Sequence, residues 1–129
     1  MEHYYAIVHK EKGSAFGVEF PDLPGCFSAA DELGDVVANA REALSLWFED
    51  EEAKAPSSLE EITRQAAEAL KEGAFVIAVP HLTRSGQSKR INVSMDSGLI
   101  AAIDGAAERS GTTRSAYLSQ AAEKALEKA

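Results

Sequence analysis

The last 42 residues of this 129-residue chain describe only half of a folding unit, and that narrows the possible folds at once. Over residues 89–95 Ile91, Val93 and Met95 alternate with Arg90, Asn92 and Ser94, the period-two pattern of a strand with one apolar and one polar face. Two helices follow. Asp96 is a good N-cap for the first, which carries Leu99, Ile100, Ile103, Ala106 and Ala107 on one side and runs to about Arg109. Gly111 breaks it, and Thr112 or Thr113 caps a second, in which Tyr117, Leu118, Ala121, Ala122, Ala125 and Leu126 recur at helical spacing. A lone strand has two unpaired edges, and units near this size rarely close a core without a staple or a partner. A second copy supplies what is missing. Pairing two strands antiparallel buries Ile91, Val93, Met95, Leu99, Ile103, Leu118 and Ala122 between the twins. The outer face of the resulting ribbon then carries two each of Arg90, Asn92 and Ser94, and a two-stranded ribbon fits the major groove of duplex DNA.

The run Arg90-Ile91-Asn92-Val93-Ser94 and the junction Arg109-Ser110-Gly111-Thr112-Thr113-Arg114-Ser115 resemble the ribbon-helix-helix DNA-binding domain, over nearly all of residues 88–128. The resemblance implies that Arg90, Asn92 and Ser94 read bases, and that the start of the second helix, Thr113, Arg114 and Ser115, anchors phosphate. Chemistry agrees. Guanidinium pairs bidentately with guanine, an amide pairs with adenine, and free N–H groups at a helix start attract phosphate. Ser94 can bond several bases and discriminates little. Lys89 is a solvated or phosphate-facing charge, whereas Lys124 and Lys128 complement a helix end.

Charge divides the chain in the same place. The net charge is −8, but residues 1–86 hold 7 Lys or Arg against 16 Asp or Glu, and residues 87–129 hold 6 against 5. The first part repels polyanions and suits a basic partner; nucleic acid belongs to the second. With 45% hydrophobic and 26% charged residues the composition is that of an ordinary globular protein. Its apolar runs, such as residues 74–80, are far shorter than a membrane-spanning helix, and residues following Met1 read as a strand rather than a signal peptide. The single cysteine, Cys26, and three scattered histidines give neither an intrachain disulfide nor metal-ligand spacing. These features point to a cytoplasmic protein with no cofactor, no metal and no membrane contact.

Residues 4–9 alternate as a strand, residues 10–14 read as a hairpin turn, and Phe16, Val18 and Phe20 share one face of a second strand. Pro21 and Pro24 make the segment Pro-Asp-Leu-Pro-Gly a rigid turn before a short third strand near residues 26–29. From about Leu33 to Glu52 the period becomes helical, with Leu33, Val36, Val37, Ala40, Leu44, Trp47 and Phe48 on one stripe. Ser58 and Glu61 have capping-box spacing at the head of another helix carrying Leu59, Ile62, Ala66 and Leu70, which Gly73 stops. The apolar run 74–79 is read as a strand covered on both faces. The order is βββααβ.

Phe-Pro-Asp-Leu-Pro-Gly-Cys at residues 20–26, followed by the acidic helix with Asn39-Ala40-Arg41-Glu42-Ala43-Leu44, resembles the N-terminal module of the HicB antitoxins over roughly residues 4–81. That resemblance implies a degenerate ribonuclease H-like fold and a partner, HicA, a small basic ribonuclease toxin. Gly34 departs from the family pattern and costs about 1 kcal/mol of helix propensity, which leaves the helix start open.

The chain therefore reads as an α+β protein with a HicB-like toxin-binding module over residues 1–81, a linker over 82–87 and a ribbon-helix-helix module over 88–129. The expected protein is the antitoxin of a type II toxin-antitoxin pair. It would neutralise a HicA-like toxin by occlusion and repress its own operon by binding operator DNA as a homodimer, or as a tetramer built through the N-terminal modules. Glu42, Glu49, Asp50 and Glu51 are the candidate toxin contacts. A stand-alone regulator, whose first module binds another protein or a small ligand, is the first rival. A metal-dependent nuclease is the second, but Glu19, Asp22 and Asp31 are its only acidic candidates near the sheet, and each has a sufficient structural reason. A non-enzyme is expected, with Cys26 as packing.

Overall fold

The computed structural model describes residues 1–52 and 54–128 and divides into two compact units, Met1–Ser85 and Gly86–Ala129. Alternation in β1 (Glu2–Lys10) puts Tyr4, Ala6 and Val8 on one side, and all three are buried. β2 (Phe16–Glu19) pairs antiparallel with β1, setting Val18 opposite Val8, and β3 (Phe27–Ala30) pairs antiparallel with β2. Between β2 and β3 the double-proline turn closes with Leu23 N–H donating to the Phe20 carbonyl and Cys26 N–H to the Leu23 carbonyl. Gly25 takes φ 85° there, a value side chains resist. β4 (Phe75–His81) joins the free side of β1, so the sheet order is β3-β2-β1-β4.

One face of this antiparallel sheet is covered by α1 (Val36–Asp50), whose Val36, Ala40 and Leu44 join Tyr4, Val8, Val18, Phe20, Leu23 and Val79 in the core. Leu33 and Val37, expected on the same stripe, are exposed. A 3-10 turn over Leu33–Asp35 takes Leu33 off the stripe, because its three residues per turn break phase with the i, i+4, i+8 series from Val36, while Val37 lies within α1 one position off that series. The helix also stops at Asp50, where Glu51 turns extended, rather than reaching Glu52. The second expected helix is divided into α2 (Leu59–Gln65) and α3 (Ala67–Lys71) at Ala66, with Ile62 and Ala66 buried. Ser58 Oγ accepts from Glu61 N–H at 3.2 Å, the forward half of the anticipated capping box.

β4 corrects the sequence reading. Among the described residues it is an edge strand bonded only to β1, Val79 is its one buried residue, and Phe75 and Ala78 are exposed. A continuous apolar run does not distinguish a central strand from an edge one. Pro80, which cannot donate to a ladder, is consistent with an edge.

The second unit consists of α4 (Ser97–Arg109) and α5 (Arg114–Glu127). Asp96 accepts from Leu99 N–H at 3.0 Å and Thr113 from Ala116 N–H at 3.1 Å, so both helices start on the caps their sequence offers. Between them Gly111 N–H donates to the Glu108 carbonyl and Thr112 N–H to the Ala107 carbonyl, with Gly111 at φ 67°. This is a Schellman stop, which needs a left-handed residue at that point. Residues 89–95, expected as a strand, form none within the single chain.

Candidate functional site

In the second unit the polar side chains Arg90, Asn92 and Ser94 are exposed, as is Lys89. Their apolar alternates are equally open: Ile91 is 73% and Val93 66% exposed, and Leu99 is also bare. Met95 and Leu118 are half-buried, Ala122 is exposed, and Ile103 and Ala107 are the buried residues of α4. Large apolar side chains left this open are of the kind that mark an interaction site when they lie together.

At the head of α5, Thr113 caps the helix and Ser115 is exposed. Arg114 is engaged. Its Nε and an Nη donate to the two Asp104 carboxylate oxygens at 2.8 and 2.7 Å, a bidentate clamp between α5 and α4. The guanidinium holds the Asp104 carboxyl below the usual range, and the carboxylate raises Arg114 in turn. Sequence reasoning missed this partner, because no helical period links residues on either side of a turn.

In the first unit two of the three acidic nuclease candidates have a hydrogen-bond partner. Asp22 is 7% exposed, and its carboxylate accepts from Ser57 N–H at 2.7 Å and from the Ser57 hydroxyl at 2.6 Å. The sequence reading gave it local turn bonds; instead it ties the proline turn to the segment leading into α2. Asp22→Ala strands both Ser57 donors and is expected to cost about 1–3 kcal/mol of stability, read as a lower urea midpoint at unchanged slope. An unchanged midpoint would contradict this role. Glu19 lies 3.1 Å from His9 Nε2, and Asp31 is exposed. Among the described residues no three His, Cys, Asp or Glu side chains are grouped to hold a metal ion. The Cys26 thiol is buried, donates to the Ala43 carbonyl at 3.7 Å and is pushed up by burial, away from nucleophilic character.

Glu42, Glu49 and Asp50 are exposed on α1, and Glu51 is exposed just beyond it. The helix end also carries an aromatic cluster that the sequence did not signal. Phe48 stacks on His81 with centroids 4.3 Å apart and 22° between planes, Tyr4 packs 5.3 Å from Phe48, and Trp47 meets Phe48 edge-on at 5.0 Å. Trp47 Nε1 donates to the Pro24 carbonyl at 3.1 Å, fastening α1 to the proline turn. Burial pulls His81 below its ordinary pKa, with Glu2 opposing, so its ring is mainly neutral at pH 7.

The Tyr4 hydroxyl bonds to the Lys54 carbonyl and the Glu2 carboxylate, and burial, with Glu2 assisting, pushes its pKa up to about 12. An unfolded tyrosine releases its proton near pH 10, whereas folded Tyr4 keeps it. Stability should therefore be fully present below about pH 10 and fall as pH rises toward 12. Urea midpoints between pH 8 and 11.5 should decline less steeply in Tyr4→Phe; parallel curves would contradict the assignment.

The sequence profile described as "HicB_like antitoxin of bacterial toxin-antitoxin system" matches residues 4–122. The chain belongs to the HicB-like antitoxin family. It is 32% identical over 126 residues to an uncharacterized 14.9 kDa protein in the rep-hol intergenic region of Haemophilus phage HP1 (strain HP1c1), covering 92% of this chain and 93% of the phage protein. The crystal structure of the Burkholderia pseudomallei antitoxin HicB superposes with a TM-score of 0.53 at 30% identity, over 99% of this chain and 98% of that one. A chain of the HicA3 and HicB3 toxin-antitoxin complex shares the fold, at TM-score 0.51 and 24% identity, over 60% of this chain and 95% of that one. This HicB-family protein is thus a mixed α/β antitoxin with an antiparallel sheet. Among its described residues no helix is long and apolar enough to cross a membrane.

Proposed function

We propose that this HicB-family antitoxin is a non-enzymatic, cytoplasmic protein with two binding surfaces. Its first unit neutralises a basic HicA-like ribonuclease, and its second pairs with a twin to bind operator DNA and repress its own operon. The observation that carries the DNA half is the exposure of Ile91, Val93 and Leu99 together with that of Arg90, Asn92 and Ser94, next to two helices with side-chain N-caps. A segment with apolar and base-reading side chains both in water makes sense once a second copy covers the former and a duplex the latter. The toxin half rests on family membership, on the HicA3 partner of the fold's relative, and on the acidity of residues 1–86. The ribonuclease H-like lineage of the first unit belongs to the same reading.

Phosphate anchoring takes a modified form. Because the Arg114 guanidinium clamps Asp104 and Thr113 Oγ already accepts from Ala116 N–H, the anchor consists of the Arg114 and Ser115 backbone N–H groups and the Ser115 hydroxyl, with Lys89 as a point charge. Coexpression with a HicA-like toxin encoded beside this chain's gene, if one is found there, tests the whole reading. The expected result is rescue of growth, a copurifying complex and a gel shift of the promoter fragment. A chain that shifts DNA but neither binds nor rescues would favour the stand-alone regulator. Magnesium- or manganese-dependent cleavage that Asp22→Ala abolishes would favour the nuclease.

A further inference from the structure

At the C-terminal end of α1 the first unit has a half-open cavity of about 390 Å³, within the range of small-ligand sites. Its aromatic wall is Phe48 stacked on His81, with Tyr4 beside them, and its lining carboxylates are Glu2, Glu49 and Glu51. Two independent properties converge here. Half-buried Phe48 and His81 line the cavity with ring surface that attracts a planar cation, and three carboxylates against one lining cation, Arg84, leave an excess of negative charge. His81 does not offset that excess, because burial favours its neutral form. A neutral planar ligand would use the rings but waste the carboxylates, and a compact ammonium would use the carboxylates but stack poorly. A guanidinium uses both, lying flat on a ring while its edge donates bidentately.

We propose that this cavity receives an arginine side chain projecting from a basic protein partner. The inference deepens the toxin-binding reading and rests on it for the partner, though not for the chemistry of the cavity. Glu49 and Glu51, picked from the sequence on charge alone, then act as a pair around one aromatic-walled hole, whereas Glu42 and Asp50 do not line it.

The test is titration of the full-length antitoxin with L-argininamide, using citrullinamide as the neutral isostere. The single tryptophan, Trp47, abuts Phe48 and reports by fluorescence, and the His81 ring protons report by NMR. The expected result is saturable binding at least tenfold tighter for argininamide, weakened about tenfold in a Glu49→Gln/Glu51→Gln double variant and unaltered in Glu42→Gln. Both double-variant positions are exposed, so the fold should persist, which an unchanged urea midpoint checks. Equal response to citrullinamide, no saturation, or equal loss in Glu42→Gln would overturn the proposal. Failure of the wild-type chain to rescue cells from the coexpressed basic neighbour is a separate outcome. It would overturn the partner assigned here and leave the argininamide result standing as a statement about the cavity.

Discussion

A Val93→Asp chain is expected to remain monomeric at micromolar concentration and to lose operator binding completely. In the proposed twin Val93 sits beneath the ribbon, and the two-fold relation brings a second copy of any substituted residue into the same covered layer. Two aspartates there would be desolvated without a counter-ion, at a cost of several kcal/mol per charge, and would repel each other. In the single chain Val93 is 66% exposed, so the monomer should keep its fold. Light scattering and a gel shift read the two effects, and unchanged circular dichroism excludes general unfolding. A stable Val93→Asp dimer would remove this residue from the covered face and overturn the strand assignment.

Arg90→Ala should leave assembly intact and weaken operator recognition by about 1–3 kcal/mol for each contacted base, roughly 5- to 150-fold per contact. Rescue from the toxin should be unaffected, because residue 90 lies outside the unit Met1–Ser85. Salt separates the roles of neighbouring cations. Removing a base contact should leave the slope of log affinity against log salt nearly as it was, whereas Lys89→Ala should reduce it by about one and weaken all sequences alike. Simultaneous loss of DNA binding and toxin rescue in Arg90→Ala would contradict the division of labour.

Much of the architecture was legible in the sequence because it is encoded locally. Ser58, Asp96 and Thr113 cap the helices their side chains suit, Gly111 provides the left-handed stop, and Val18 and Phe20 alternate into the core. These features depend on residues within about four positions of one another. What escaped was long-range. Asp22 meets Ser57 across 35 positions, Arg114 meets Asp104 across ten, and His81 stacks on a ring 33 residues earlier. Periodicity carries no information about such pairs. It also could not mark β4 as an edge strand, since Val76 and Ile77 look the same in either place. At the candidate DNA site the polar and apolar alternation of residues 90–95 was readable, but Arg114 looked equally available for phosphate until its clamp on Asp104 was located.

In the proposed twin, residues 89–95 form a strand only against their counterpart in a second chain. Isotope-filtered NMR on a mixture of labelled and unlabelled full-length chains tests it most directly. The expected result is interchain contacts among Ile91, Val93 and their backbone amides, slow amide exchange along residues 89–95, and a particle of at least twice the chain mass. A particle of single-chain mass, with residues 89–95 exchanging at the rate of unstructured amides at micromolar concentration, would contradict it.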